Sequence, residues 1–196
     1  LETGFIGTIY KIRVKLGDID SRMSSPLHVD SLNLKKIKLI NEASGDELRF
    51  FIDTSLHTAL PDPRPLIEIP AVWPDIPPYP LVIYQISVFS GETSAQSFRL
   101  QLSAQIWGQH GDTDRRRLLR TIHGQNPGFA GGTVETIEIE AVSLGDLERL
   151  TVFVDSITED CAWFLDKVEI LDPQTDITYV FKHGGQVATA ITNLFA

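Results

Sequence analysis

The sequence predicts an all-β protein built from antiparallel β-sandwich units. Apolar and polar residues alternate with a period of two along much of the chain, which is the pattern of strands that bury one face. Turn-forming sequences such as Asn126-Pro127-Gly128 and Asp172-Pro173 separate the alternating stretches. Many short strands divided by frequent turns are typical of a β-sandwich.

The individual strands follow from this alternation. Residues 11–16 and 98–106 alternate without interruption and are the clearest strands. The other strands predicted for the second half of the chain are residues 83–89, 134–140, 148–154, 164–171 and 177–182. The best candidate for a helix is the C-terminal stretch, residues 186–196.

The composition is that of a folded globular chain. The 196 residues are 42% hydrophobic and 22% charged, and no apolar run approaches the roughly 18 residues of a membrane-spanning helix. A single cysteine, Cys161, excludes an intrachain disulfide framework and a cysteine-rich zinc site. The net charge of −9 argues against a nucleic-acid partner, because binding to phosphates comes from clustered lysine and arginine.

Residues 56–80 form a proline-rich segment with eight prolines. Since proline cannot donate to a strand ladder and favours extended chain, we predict a semi-rigid linker. Trp73 within this segment has two interpretations. It is a ligand for a proline-recognising partner, or it packs the linker against an adjacent sandwich, which we favour.

An internal repeat sets the predicted domain organisation. Residues 6–16 match residues 144–154, and residues 32–51 match residues 163–182, with apolar and glycine positions kept. Counterparts of the strands at 83–139 are missing from the first copy. The predicted domains are the C-terminal half of one sandwich at 1–55, a linker at 56–80, a complete sandwich at 81–190 and a tail at 191–196.

The half-sandwich raises the question of what covers its apolar face. Strands at 9–16, 34–41 and 47–52 would leave open edges and a bare apolar surface. We expect an upstream segment, another copy through strand exchange or oligomer formation, or the neighbouring domain to cover them.

The second copy resembles a known family. The blocks that carry the resemblance are YQISVFSG at 84–91, IWGQHGDT at 106–113, ETIEIEAVSLGDLERLTVFVDS at 135–156 and AWFLDKVEILDPQTDITYVF at 162–181. They resemble the PLAT domain, also called the lipoxygenase homology or LH2 domain. The resemblance implies a PLAT-type antiparallel β-sandwich of two four-stranded sheets, here preceded by a partial second PLAT repeat. Family members generally act as non-catalytic modules that hold a larger protein to a membrane or to another protein.

The layout of tandem copies on a proline-rich linker resembles the multi-PLAT repeat proteins of inner-ear hair cells. It implies a scaffold or adaptor, intracellular and peripheral to the plasma membrane, whose partner is a membrane protein or a submembrane scaffold protein. The alternative is a peripheral membrane-binding module, calcium-assisted or electrostatic, with anionic lipid as its partner. Arg99 and the acidic second half favour the scaffold.

Calcium is the one cofactor that the resemblance implies. Several PLAT domains hold it with loop carboxylates, but the family pattern places Arg99 at an acidic ligand position. Acidic groups remain at Asp155, Glu159 and Asp160, and also at Asp112 and Asp114. They form either a residual calcium site or, as we favour, a solvated acidic loop.

Two further groups are candidate contact residues. Trp163 and Phe164 are candidate membrane-inserting tips, although strand alternation must bury one of them. The basic residues suited to anionic headgroups or an acidic partner are Arg115, Arg116, Arg117 and Arg120. A solvated strand or turn face is the simpler interpretation of the basic run.

No motif predicts an enzyme. Cys161 has no nearby histidine, and the loop His183-Gly184-Gly185 is not accompanied by a G-x-S-x-G nucleophile elbow. The five histidines show no ligand spacing for zinc.

Overall fold

The computed structural model describes residues 8–15, 31–52, 55–57, 66–92, 100–119, 128–156, 163–187 and 191–195. The chain divides into two compact units, Leu1–Leu81 and Val82–Ala196. Every regular element in the described ranges is a β-strand. Within those ranges no helix has the length and apolar character needed to cross a bilayer.

Two antiparallel sheets form the second unit. One is four-stranded, in the order β11-β7-β13-β14, and the other is five-stranded, in the order β10-β8-β12-β15 with β9 paired to β8. The strands are β7 Leu81–Ser90, β8 Gln101–Gly108, β9 Gly111–Asp112, β10 Arg116–Arg117, β11 Val134–Val142, β12 Leu147–Ser156, β13 Phe164–Asp172, β14 Ile177–Gln186 and β15 Ile191–Phe195.

Alternate residues of these strands fill the core between the two sheets. Val82, Tyr84, Ile86 and Val88 of β7 are buried, while the residues between them are more exposed. On other strands of the two sheets, Ile106, Leu150 and Ile170 are buried in the same core. Each such side chain contributes about 1.5–3 kcal/mol by leaving water. The predicted all-β sandwich is confirmed.

Three short ladders make up the described part of the first unit. They pair β1 with β6, β2 with β5 and β3 with β4, all antiparallel. The strands are β1 Lys11–Lys15, β2 Ser31–Asn33, β3 Lys36–Ile40, β4 Glu47–Phe51, β5 Ser55–His57 and β6 Leu66–Pro70. Leu48, Phe50, Ile52, Ile69 and Ala71 form their core cluster.

The first strand of the sequence repeat is β1 in the first unit and β12 in the second. Each pairs with its neighbouring strand in the same register. Lys11 of β1 pairs with Pro70, and its repeat counterpart Arg149 of β12 pairs with Phe195. The other pairs of the two ladders follow in step, without a slip. The strand β6 is therefore the first unit's counterpart of β15.

The second ladder of the repeat has the same property. Lys36 of β3 pairs with Phe51, as its counterpart Lys167 of β13 pairs with Lys182. The short ladder β2–β5 continues this pairing on the far side of a break, where β13 has a register shift between Leu165 and Lys167. A shift of one residue would turn every side chain to the opposite face, so the two units share one inward and outward pattern.

The predicted linker over residues 56–80 is wrong for its middle part. Residues Leu66–Pro70 form β6, and Ile69 and Ala71 are buried in the first core cluster. The prolines allow this because Pro70 ends an edge strand, where a missing N–H breaks no ladder. Trp73 packs against the same cluster and donates its Nε1–H to the carbonyl of Ile9 at 3.2 Å.

The helix predicted at residues 186–196 is also wrong, because Ile191–Phe195 form β15 on the edge of β12. Ile191 and Thr192 are β-branched and favour extended chain. Tertiary pairing with β12 decides the conformation of a stretch too short for a stable isolated helix.

The core of the first unit is more open than that of the second. Leu39 is 41% exposed, whereas its counterpart Ile170 is 0% exposed. Leu39 occupies an inward-facing position of the shared register, and in the second unit β7 pairs along this edge of β13. The cover expected over this half-sandwich stays a prediction.

Tyr84 joins the core of the second unit to the loop before β12. The backbone N–H of the buried Leu144 donates to its Oη at 2.9 Å. Burial raises the pKa of Tyr84 to about 12, so its hydroxyl is protonated at neutral pH.

Tyr84→Phe should lower the free energy of unfolding by about 1–3 kcal/mol, because it leaves the Leu144 N–H buried without an acceptor. Urea denaturation of the full chain measures this loss as a lower midpoint at constant m-value. The control is Tyr179→Phe, which removes an exposed bond to Asp146 and should cost less than about 1 kcal/mol. Equal losses in the two variants would contradict the role given to Tyr84.

Candidate functional site

The outward side of the five-stranded sheet carries two arginine side chains that stack on aromatic rings. Alternation along β12 sends Leu150 and Val152 into the core, so Arg149, Thr151 and Phe153 lie on the opposite side. Cross-strand pairing adds residues of β8 and β15 to this side. We call it the outer face; its residues are Gln105, Trp107, Arg149, Thr151, Phe153, Asn193 and Phe195.

Arg149 and Trp107 form a stacked pair at one end of the outer face. They are cross-strand neighbours, and the guanidinium carbon of Arg149 lies 4.1 Å from the centroid of the Trp107 ring. Two N–H groups of this pair, Arg149 Nε and Trp107 Nε1, are buried and have no hydrogen-bond partner among the described residues. Buried donors of this kind carry a desolvation cost that an acceptor would relieve.

A second stacked pair lies towards the other end. The guanidinium carbon of Arg115 is 4.5 Å from the centroid of the Phe153 ring. Nearby, Arg117 of β10 pairs with Ser103 of β8. Both arginines are exposed. Arg116 differs, because it lies opposite the core residue Ala104 and its Nε donates to the carbonyl of Thr113 at 3.0 Å.

Two acidic residues, Asp112 and Asp114, precede these arginines in the chain. Asp112 belongs to β9 and pairs with Trp107 of β8. Its Oδ1 accepts from the Gln105 amide at 2.8 Å and from the backbone N–H of Asp114 at 2.6 Å. Asp114 has a φ of 59°, and its Oδ1 accepts from the backbone N–H of Arg115 at 2.7 Å. The two carboxylates therefore stabilise the turn that presents the arginines.

The first unit carries a related face, in which a carboxylate is already bound. Glu68 of β6 accepts from Lys11 Nζ at 2.8 Å and from Arg13 Nε at 2.9 Å, and its side chain is 1% exposed. The shared register places Asn193 at the position of Glu68 and Arg149 at the position of Lys11. Asn193 Oδ1 accepts instead from the Thr151 hydroxyl at 2.8 Å.

Comparisons with known proteins find relatives of similar name. The chain is similar to human and mouse proteins named lipoxygenase homology domain-containing protein 1, with 22% and 25% identity. Both matches cover 88% of this chain, which spans 9% of the length of either relative. This similarity supports the resemblance to the PLAT, or lipoxygenase homology, domain. The resemblance and the all-β fold predicted from the sequence are confirmed.

No protein-family model matches the chain. Among solved structures, it is similar to coral 8R-lipoxygenase, with 24% identity over 58% of this chain and 16% of that one, at a TM-score of 0.49. It is also similar to a calcium-dependent 11R-lipoxygenase, with 19% identity over 58% of this chain and 17% of that one, at a TM-score of 0.43.

The candidate calcium ligands of the second unit stay a prediction. Asp155 belongs to β12, with only its backbone described, and Glu159, Asp160 and Arg99 lie outside the described residues. The part of the chain that the structure describes contains no group of three or more His, Cys, Asp or Glu side chains arranged to hold a metal ion.

The structure separates the candidate contact residues. Trp163 is 0% exposed, donates its Nε1–H to Ser90 Oγ at 3.1 Å and packs edge-on against Phe129. The candidate membrane or partner contact at Trp163 is therefore wrong, because this side chain is a core anchor. Phe164 is half-buried, and Arg120 lies outside the described residues.

The residues that the sequence did not single out are Arg149, Trp107, Asn193 and Glu68. Alternation around residues 148–154 would have placed Arg149 on the polar side of its strand. The cross-strand neighbours of Arg149 depend on the pairing of β12 with β8 and β15, which alternation does not reveal.

Trp163→Ala should lower the free energy of unfolding by about 3–5 kcal/mol, the usual cost of removing a buried aromatic side chain. Phe164→Ala is the neighbouring control and should cost less, since that side chain is only half-buried. Thermal and urea denaturation of both variants measure the two losses. A loss at Trp163 no larger than that at Phe164 would contradict the assignment of Trp163 to the core.

Proposed function

We propose that this PLAT chain is a non-catalytic repeat scaffold or adaptor that mediates protein–protein interaction at a membrane. The observation that carries the proposal is that two units with one strand register follow each other in the chain. The similarity to the lipoxygenase homology domain-containing relatives extends over 88% of the chain, and so includes both units. Repeated rigid units suit a protein that presents several surfaces along one polypeptide.

The cellular setting belongs to the same proposal. The layout resembles multi-PLAT proteins of inner-ear hair cells, so we place the protein inside the cell, peripheral to the plasma membrane, in the stereocilia. Its partner in this proposal is a membrane protein or a submembrane scaffold protein.

A second candidate function is a peripheral membrane-binding module. The observation that favours it is the exposure of Arg115 and Arg117 at one end of the outer face. Each basic residue near an anionic surface contributes about 1 kcal/mol. Calcium assistance is a further element of this candidate and depends on the untested group Asp155, Glu159 and Asp160.

Vesicle binding distinguishes the two functions. We expect the full chain to co-sediment with inside-out plasma-membrane vesicles, to lose this binding when protease removes the exposed vesicle proteins, and not to co-sediment with protein-free phosphatidylserine vesicles. Binding to the protein-free vesicles that Arg115→Glu/Arg117→Glu abolishes would establish the electrostatic module and contradict the scaffold. Calcium-dependent binding to them would establish the calcium-assisted module.

The matched control for the charge reversal is Lys182→Glu. Lys182 is exposed on β14 of the other sheet of the same unit, so Lys182→Glu changes the net charge by the same amount as Arg117→Glu alone without touching the outer face, and these two single reversals are compared. Equal effects of reversal at both places would point to net charge alone.

A further inference from the structure

Glu68 shows what the repeated face binds when an acidic side chain is available. Its carboxylate accepts charge-assisted hydrogen bonds from Lys11 and Arg13, and these short bonds are about twice as strong as neutral ones. Arg13 lies directly opposite Glu68, whereas Lys11 is reached along the diagonal between the strands. A carboxylate at this position of the ladder therefore also reaches the cation two residues further along the neighbouring strand.

The second unit has a cation at the position of Lys11 but no carboxylate at the position of Glu68. Arg149 stands where Lys11 does, Thr151 stands where Arg13 does, and Asn193 stands where Glu68 does. The amide of Asn193 is neutral and accepts from Thr151. Arg149 Nε and the adjacent Trp107 Nε1 are the donors that remain without an acceptor among the described residues.

We propose that the outer face of the second unit binds a carboxylate from an acidic segment of a partner protein, at Arg149 between Trp107 and Asn193. This inference rests on the proposed protein-interaction function and names its surface and the chemistry of its partner. The incoming carboxylate takes the place that Glu68 fills within the first unit. Its oxygens accept from Arg149, whose guanidinium is suited to planar carboxylates.

The surface favours a polypeptide over a lipid surface. The Trp107 ring is stacked against Arg149, so it is not extended towards a bilayer. Arg149 is partly exposed and lies opposite Phe195 of the edge strand β15, where a side chain from an extended segment approaches its guanidinium. Phe195 is 68% exposed on the edge strand β15 and gives the segment an apolar contact beside the charge.

The test uses the full chain and an acetylated oligoglutamate peptide as the probe. Asn193→Glu supplies a carboxylate from within the chain, as Glu68 does in the first unit, while Asn193→Gln has the same length without the charge. Asn193 is exposed, so neither change disturbs the core. Fluorescence anisotropy of the labelled peptide gives affinity, and the indole N–H resonance of Trp107 reports on the site itself.

We expect the peptide to bind wild type and Asn193→Gln alike and to shift the Trp107 indole resonance. Asn193→Glu should weaken binding by about tenfold or more, because its own carboxylate occupies Arg149. Absence of peptide binding to wild type, or equal binding to the Glu and Gln variants, would overturn the proposal.

A vesicle experiment separates the remaining source of an anion. One outcome would assign the site to lipid and overturn the choice of an acidic protein. In that outcome, phosphatidylserine vesicles bind wild type but not Asn193→Glu, and the peptide does not bind wild type. Protease-sensitive binding to native vesicles that the Asn193→Glu change leaves intact would overturn this inference while the proposed scaffold function stands.

Discussion

Strand register is the constraint on which the rest of this structure depends. Successive residues of a strand point to opposite sides, so one pairing decides both which residues enter the core and which reach the surface. In this chain the pairing occurs twice in the same register, with Lys11 opposite Pro70 and Arg149 opposite Phe195. The apolar positions of the repeat then face inward in both units. Their polar positions face outward and are available to diverge.

The two units carry different side chains on the outward side. The first unit places the buried Glu68 carboxylate between Lys11 and Arg13, so an acid of the chain itself occupies this position. The second unit replaces the acid by Asn193, stacks Arg149 on Trp107 and adds Arg115 over Phe153. The same backbone pairing therefore carries an ion pair within the chain in one unit and stacked cation–aromatic pairs in the other. This is the division expected when a repeated scaffold carries different contacts on its units.

Sequence patterns predicted much of the second unit and less of the first. Alternation located β7 and β11–β14 within a few residues, because these strands bury one clean face each. It missed β6 and β15, since prolines surround Leu66–Ile69 and a five-residue edge strand takes its conformation from β12. Alternation also required that Trp163 or Phe164 be buried but could not select Trp163. The pairing of Arg149 with Trp107 and Phe195 joins residues far apart in the chain, which no local pattern contains.

Amide hydrogen exchange of the full chain, resolved to single residues by NMR, tests the shared register most directly. We expect protection of the ladder-bonded amides among Ile67, Glu68 and Ile69, in the same alternating pattern as Thr192, Asn193 and Leu194. Exchange of all three first-unit amides at the rate of a solvated chain would mean that residues 66–70 are a polyproline-like spacer. That result would contradict the assignment of β6 as the counterpart of β15.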